Sequence, residues 1–189
     1  MPGLNSLPPE PVMFGHELTE QVRADSKLSD RMVPLIVEKC IAAVDATGEP
    51  SPTGMGKHNN RLLVALDYEG IYRKTGGSGQ SKLITQLFER GDYTVFDLLN
   101  TDRFNDICGV TSVLKSYFRS LPNPLLTFAL HDEFIFVSSI QDPVHRSSKF
   151  ADLVKQLPTE HYYTLRILML HLHRFVHPPT IPFSLGSPR

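Results

Sequence analysis

The sequence predicts an all-α protein, a compact bundle of several helices, and three features carry that prediction. Apolar residues recur at spacings of three and four in several stretches, which is the pattern of helices with one buried face. Sustained alternation of apolar and polar residues, the pattern of a half-buried strand, is almost absent. Segments rich in glycine and proline separate the apolar stretches and mark connections between helices.

The first well-marked helix begins near Val33. Pro34 suits its first turn, where an amide hydrogen would have no helical partner. Cys40 lies in the apolar stripe and is expected to be a small core residue. The full stripe consists of Val33, Ile36, Val37, Cys40, Ile41 and Val44. Residues 48–66 then form an extended segment, which is either a long surface loop or an insertion that does not belong to the fold.

A second helix is expected from Ser78, as a capping residue, to about Arg90, with Gly91 as its stop signal. Its core face consists of Leu83, Ile84, Leu87 and Phe88. A third helix covers roughly Cys108 to Ser120 and ends where prolines follow, because proline cannot continue the hydrogen-bond ladder. Its buried side consists of Val110, Val113, Leu114, Tyr117 and Phe118.

The remaining segments complete the predicted bundle. Residues 125–139 are expected to be helical in part, and a further amphipathic turn or two is marked by Phe150, Leu153, Val154 and Leu157. The last clear helix starts near Pro158. Its apolar face consists of Leu165, Leu168, Met169, Leu172, Phe175 and Val176.

Composition limits the classes of function. The chain has the length of one ordinary domain, 189 residues, and its 41% hydrophobic and 21% charged residues are typical of a globular protein. The formal net charge of -1 argues against a nucleic-acid-binding protein, which usually carries a strong basic excess. No signal peptide or membrane-length apolar run is visible, so a cytoplasmic protein is expected. Cys40 and Cys108 lack the spacing of a metal site.

The segment GIYRKTG, residues 70–76, contains the strongest candidate for a functional residue, Arg73. A guanidinium is always charged, and its planar donors suit phosphate oxygens. Gly70 and Gly76 permit a tight loop, and Ile71 and Tyr72 are expected to pin the base of that loop in the core. Such a loop is able to project Arg73 into the active site of a neighbouring protein. The usual alternative is a surface arginine without a function.

Lys115 and Arg119 form a second basic group. Four residues apart on one helix, they share a face that points away from Leu114 and Phe118. A solvated helix face is the ordinary explanation of such a pair.

Two weaker signals do not support a binding site. The glycine-rich residues 76–82 lack the G-K-[ST] ending of a phosphate-binding loop, so the chain is not expected to bind nucleotide itself. His173 and His177 have a metal-ligand spacing, with His171 nearby, but Pro178 ends their helix and no cysteine or acidic motif accompanies them. Neither a metal nor a cofactor is therefore expected.

Two motifs, GIYRKTG and LKSYFRSLPNPLL (residues 114–126), resemble the RhoGAP family of GTPase-activating proteins for Rho-type small GTPases. The family's opening F-G-x-x-L pattern is filled by Phe14, Gly15 and Leu18. The resemblance implies that the protein has no chemistry of its own, because it completes the active site of a Rho-, Rac- or Cdc42-like partner. GTP and magnesium would belong to that partner.

The same resemblance implies roles for individual residues. Arg73 takes the place of the family's arginine finger, which makes it the expected catalytic residue. Lys115 and Arg119 are implied to bind the GTPase and to support the finger loop, and Pro124 is implied to lie at the contact surface. Gly70, Ile71, Tyr72 and Gly76 are then the structural residues of that loop.

The chain also departs from the family pattern. The family continues into a further helix with a motif like N-x-M-x-x-x-N-L-A, whereas this chain continues into a proline-rich segment. The expected fold is therefore a RhoGAP-type bundle, with a fungal-type member as one option, that lacks its last helix or helices. The expected organisation is a proline-rich linker (1–13), a RhoGAP-like domain (14–177) and an irregular tail (178–189), within a larger multidomain protein.

Three functions follow from this pattern. The leading one is activation of a Rho-family GTPase, with recruitment to the cell cortex as an option for the cytoplasmic protein. The alternative is a non-catalytic module that binds a GTPase or another partner and has been disabled by the truncation. A membrane-surface module is weaker, because the cationic residues are too few for stable anchoring.

Overall fold

The computed structural model of the protein describes residues 13–26, 31–46, 69–91, 96–100 and 102–176. These residues contain seven α-helices, a short 3₁₀-helix (Phe128–Leu130) and no strand, so the all-α prediction is confirmed. The helices are α1 (Leu18–Ser26), α2 (Leu35–Ala46), α3 (Ser78–Glu89), α4 (Ile107–Ser120), α5 (His131–Ser138), α6 (Pro143–Val154) and α7 (Thr159–Val176).

Helix α4 lies at the centre of the main core. Seven of its 14 residues are buried: Cys108, Gly109, Val110, Thr111, Val113, Leu114 and Tyr117. Helices α2 and α3 both pack on α4, while α1 and α2 contact α7. A helix buried on most of its circumference is a rigid support, and the functional candidates are arranged around it.

Helix α7 joins two hydrophobic clusters. Ile167, Leu168 and Phe175 pack against the main core. Nearer its start, Tyr162 and Leu165 pack against a smaller cluster between α5 and α6, formed by Phe134, Val137, Leu153 and Leu157. None of the helices in the described part of the chain is both long and apolar enough to cross a membrane.

Several local predictions need correction. Ser78 does not cap α3, because Gly77 occupies the capping position and has no side chain to accept from the first amides of the helix. Leu83 and Met169, which were expected in the core, are 37% and 54% exposed. Both lie at the edge of an apolar stripe that is wider than the face its helix buries. Met13, the last residue of the predicted linker, is fully buried in the main core. The rest of that linker, segment 48–66 and tail 178–189 fall outside the described residues.

A buried carboxylate connects α1 to the start of α2. Asp25 is 1% exposed and accepts hydrogen bonds from the Leu35 amide at 2.7 Å and from the Gln21 side chain at 3.0 Å. Burial raises the pKa of Asp25 above its ordinary value of 3.8, although both hydrogen bonds and the charge of Arg31 oppose the increase. The carboxylate therefore satisfies an otherwise unpaired amide of the first turn of α2 at an electrostatic cost.

We expect Asp25→Asn to change the pH dependence of stability. Because the folded pKa is raised, the folded protein binds the Asp25 proton more tightly than the unfolded chain does. The free energy of unfolding thus loses a contribution as pH rises through the interval from 3.8 to the raised pKa. Asn stays neutral, so the variant should gain stability relative to wild type over that interval. Urea denaturation at a series of pH values measures the difference, and a constant difference would contradict the prediction.

Candidate functional site

The Arg73 loop, residues Gly70–Gly77, is a tight turn built by its own backbone. The Gly70 carbonyl accepts from the amides of Arg73 at 2.8 Å and Lys74 at 2.7 Å. Gly70 has φ +78°, a left-handed conformation that costs L side chains energy. A Cβ at Gly70 would also lie 3.2 Å from Arg73 Nε, because the arginine side chain passes over this glycine.

Helix α4 holds both ends of the loop. Ile71 is buried, and its carbonyl accepts from Thr111 Oγ1 at 2.9 Å. At the other end, the Gly76 amide donates to Ser112 Oγ at 3.2 Å. These bonds attach backbone groups of the loop to side chains of a rigid helix, so the position of the loop is defined by α4.

Gly76 is required for a different reason from Gly70. Its backbone touches α4 so closely that a Cβ would lie 2.0 Å from Gly109 N and 2.3 Å from the Cys108 carbonyl carbon. Both neighbours are backbone atoms and cannot rotate away. The glycines predicted to frame the loop thus do different work: Gly70 provides a turn conformation, and Gly76 allows a close approach between two segments of backbone.

Asp106 secures the exit of the loop. Its Oδ2 accepts from the Gly77 amide at 2.5 Å, and its own amide donates to Gln80 Oε1 at 2.9 Å. A carboxylate beside the first turn of α3 is favourable because the amides there carry partial positive charge. Sequence reasoning missed this role. Asp106 occupies the capping position of α4, which suggests a local cap, yet its carboxylate bonds a residue 29 positions away.

Lys115 lies beneath the loop. Its ammonium donates to the carbonyls of Tyr72 at 2.7 Å and Lys74 at 3.3 Å, on both sides of Arg73. Arg119 lies one helical turn further along α4 and is exposed, and in the described residues no hydrogen bond joins it to the loop. Pro124 is half-buried after α4, and its carbonyl accepts from Thr127, whose φ of 60° is unusual for a β-branched residue.

Arg73 itself is exposed at the tip of this supported turn. Within the ranges that the structure describes, its guanidinium has no hydrogen-bond or ion-pair partner, in contrast to its firmly bonded backbone. Lys74, Lys115 and Arg119 add positive charge to the same part of a chain whose net charge is -1. The arrangement presents an available cationic fork on a rigid base, which suits recognition of phosphate oxygens in another molecule.

The histidines near the end of α7 separate in the structure. His171 is fully buried, with Nδ1 2.7 Å from Asp45 Oδ1 and Nε2 2.5 Å from the Tyr72 hydroxyl. His173 is exposed, and His177 lies outside the described residues. No local pattern in the sequence indicates that His171 reaches the Arg73 loop, because Tyr72 lies 99 positions away.

Comparison with known proteins places the chain among similar sequences. A family model described as RhoGAP domain matches residues 62–180. Rho GTPase-activating protein 27 of Rattus norvegicus is 35% identical over 144 residues, which are 76% of this chain and 14% of that protein. The probable Rho-type GTPase-activating protein 3 of Schizosaccharomyces pombe is 28% identical over 88% of this chain, again 14% of the relative. The chain thus spans only a small part of the length of these relatives.

The fold has a counterpart among solved structures. The crystal structure of human Rho GTPase activating protein 15 (ARHGAP15) matches with a TM-score of 0.72 and 26% sequence identity. The match covers 93% of this chain and 74% of that structure.

Proposed function

Since the chain belongs to the RhoGAP domain family, we propose that it stimulates GTP hydrolysis by a Rho-family small GTPase, with Arg73 acting in trans as an arginine finger. The observation that carries this proposal is the exposed guanidinium of Arg73, without a partner in the described residues, at the tip of a loop bonded to α4. The greater length of the relatives supports a place for the domain within a larger multidomain protein.

The proposed mechanism is electrostatic. When water attacks the γ-phosphoryl group of GTP, negative charge develops on the phosphoryl oxygens and on the oxygen that leaves. A guanidinium placed there stabilises the transition state more than the ground state. The protein supplies this charge and positions it, whereas the nucleotide and its magnesium ion belong to the partner GTPase.

The rigid base of the loop contributes to the rate because it reduces the cost of ordering Arg73. The turn bonds at Gly70 and the bonds from Thr111 and Lys115 fix the backbone on both sides of the arginine. Only the side-chain torsions of Arg73 then remain to be fixed on binding. Preorganisation of this kind lowers the entropic cost of reaching the reactive arrangement.

Lys115 and Arg119 are proposed to act differently. Lys115 is proposed to support the loop, because its ammonium is already engaged with two loop carbonyls. Arg119 and Pro124 are proposed to contact the GTPase, because Arg119 is exposed and Pro124 lies half-buried where the chain leaves α4. An exposed cation at the rim of an interface mainly affects association, whereas a support of the finger affects the hydrolysis step.

We expect Lys115→Met and Arg119→Met to separate these two effects. Lys115→Met should lower the maximal hydrolysis rate by roughly 10- to 100-fold, because the loop loses its central support. Arg119→Met should instead raise the half-saturating concentration several-fold and leave the maximal rate within about threefold. Single-turnover hydrolysis at increasing concentrations of each variant gives both quantities. The reverse pattern would exchange the proposed roles.

Single-turnover GTP hydrolysis by a panel of Rho-, Rac- and Cdc42-type GTPases, with and without the chain, tests the proposed function. We expect strong stimulation of at least one of them and little stimulation of a small GTPase from outside the Rho family. Absence of stimulation by a folded sample would contradict the proposal. Binding of a GTP-loaded Rho-family protein without acceleration would favour the non-catalytic module instead.

A further inference from the structure

We infer that His171, held by Asp45 and bonded to the Tyr72 hydroxyl, is a positioning residue that fixes the Arg73 loop to α7. The inference rests on the proposed function, because its effect is exerted through Arg73. The sequence does not predict that these three side chains act together. They come from α2, the Arg73 loop and α7.

The polar contacts of His171 are complete and directional. Its side chain is fully buried, so both ring nitrogens need partners, and both have one. A carboxylate only accepts hydrogen bonds, so Asp45 requires the Nδ1 proton of His171. In the neutral imidazole, donation through Nδ1 leaves Nε2 to accept from the Tyr72 hydroxyl. Burial raises the pKa of Tyr72, and Cys40 and Asp45 raise it further, so the hydroxyl keeps its proton.

Packing and charge hold this arrangement in place. The Tyr72 ring makes edge-to-face contacts with His171 and with Phe175, at centroid distances of 5.8 Å in each case. The second carboxylate oxygen of Asp45 accepts from Arg174, so both oxygens of Asp45 are engaged by α7. The rotation of the Asp45 carboxylate is therefore restricted, and the orientation of the His171 ring follows from it.

The consequence for Arg73 comes from the position of Tyr72 immediately before it. The Tyr72 carbonyl is bonded to Lys115 of α4, and the Tyr72 hydroxyl is bonded to His171 of α7. Two helices thus fix the same residue, one by its main chain and one by its side chain. Arg73 has no partner of its own in the described ranges, so its starting position depends on these attachments. Loss of the hydroxyl should release the loop from α7 and leave its bonds to α4.

Tyr72→Phe is the first test, because it removes one hydroxyl and keeps the ring contacts. We expect the maximal single-turnover rate to fall by about 5- to 50-fold, which is less than the roughly 10²-fold loss that a misplacement of about 1 Å causes. The half-saturating concentration should change by less than about threefold. Tyr117→Phe is the matched control. It removes a fully buried hydroxyl that has no hydrogen-bond partner in the described structure, so its rate should stay within about twofold of wild type.

Two substitutions of His171 test which bond matters. The amide of Gln can reach the position of Nε2 and accept from Tyr72, whereas Asn can replace only the Nδ1 contact with Asp45. We expect His171→Asn to lose rate as Tyr72→Phe does, and His171→Gln to retain most of it. If His171 only stabilised the fold, the two variants would lose similar amounts of hydrolysis rate and of thermal stability. Thermal melting of both variants measures the loss of stability.

A double-mutant cycle shows whether the effect passes through the arginine. In an Arg73→Ala background, Tyr72→Phe should change the residual rate by less than about twofold, because there is no guanidinium left to position. An equal loss in both backgrounds would overturn the inference, as would a wild-type rate for Tyr72→Phe in a protein that needs Arg73. If wild type gives no stimulation, or Arg73→Ala stimulates fully, the proposed function fails and the inference fails with it.

Discussion

Arg73→Ala should abolish nearly all stimulation of GTP hydrolysis while leaving the domain folded. A finger arginine accelerates hydrolysis by roughly 10³–10⁵, which corresponds to about 4–7 kcal/mol of activation free energy. The side chain is exposed and has no partner in the described residues, and the loop is held by main-chain groups. Stability should therefore change by no more than about 0.5 kcal/mol. Single-turnover hydrolysis and a thermal melt of the same samples measure the two effects.

Arg73→Lys should also fail to restore most of the rate. Lysine keeps the positive charge but lacks the planar fork that contacts two oxygens at once. Lys74→Ala is the comparison for loss of charge, because it removes one cation from the same loop. It should weaken association modestly and retain most of the maximal rate. Equal losses in Arg73→Ala and Lys74→Ala would mean that the loop provides only general positive charge.

Gly76→Ala should be the most disruptive small substitution in the loop. The added Cβ would lie 2.0 Å from Gly109 N, so the loop and α4 must move apart. That movement breaks the bonds from Gly76 to Ser112 and from Gly77 to Asp106. Overpacking of this kind costs about 1–3 kcal/mol of stability, or more where backbone is involved. A loop displaced by about 1 Å should also lose on the order of 10² in stimulated rate.

Gly79→Ala and Gly109→Ala provide the controls for Gly76→Ala. A Cβ at Gly79, in the first turn of α3, meets nothing within 4 Å, so alanine should be neutral or stabilise the helix by up to about 1 kcal/mol. The atom nearest to a Cβ at Gly109 is Gln80 Cβ, at 3.4 Å, so Gly109→Ala should be tolerated far better than Gly76→Ala. Chemical denaturation and hydrolysis assays on the three variants rank the effects. Similar behaviour of Gly76→Ala and Gly79→Ala would refute the steric explanation.

The helices that could be predicted are those whose buried residues are apolar and recur at regular helical spacing. The segment Cys108–Ser120 was predicted within a residue of α4, and Cys40 is fully buried in the core as expected. Helix α1 was not predicted as a helix from the pattern, because two of its four buried residues are polar, Gln21 and Asp25. Those two polar side chains have partners in the buried interior: Gln21 donates to Asp25, and Asp25 also accepts from the amide of Leu35. The spacing of apolar residues does not reveal a buried face that contains polar side chains.

The candidate site also combines features that can be predicted from neighbouring residues with features that cannot. Arg73 and its turn are encoded locally, because Gly70 provides the left-handed conformation and the bonds of the turn join residues within four positions. The attachments of the loop are not local: Ser112, Lys115 and His171 lie 36, 43 and 99 residues from the loop residues that they bond. In the sequence, His171 is only a neighbour of two histidines that are not expected to bind a metal, and no local pattern indicates that Asp106 bonds the loop.

The helical class, the central helices and the arginine at the tip of a glycine-bounded turn could all be predicted from the sequence. Repeating apolar spacing and local turn chemistry depend on neighbouring residues, so they can be read along one chain. The contacts that hold that arginine in place are found only in the folded protein. Close backbone contact, as between Gly76 and Gly109, and side-chain bonds between distant segments exist only after the core has brought the helices together. No local pattern specifies which distant groups will then be within hydrogen-bond distance.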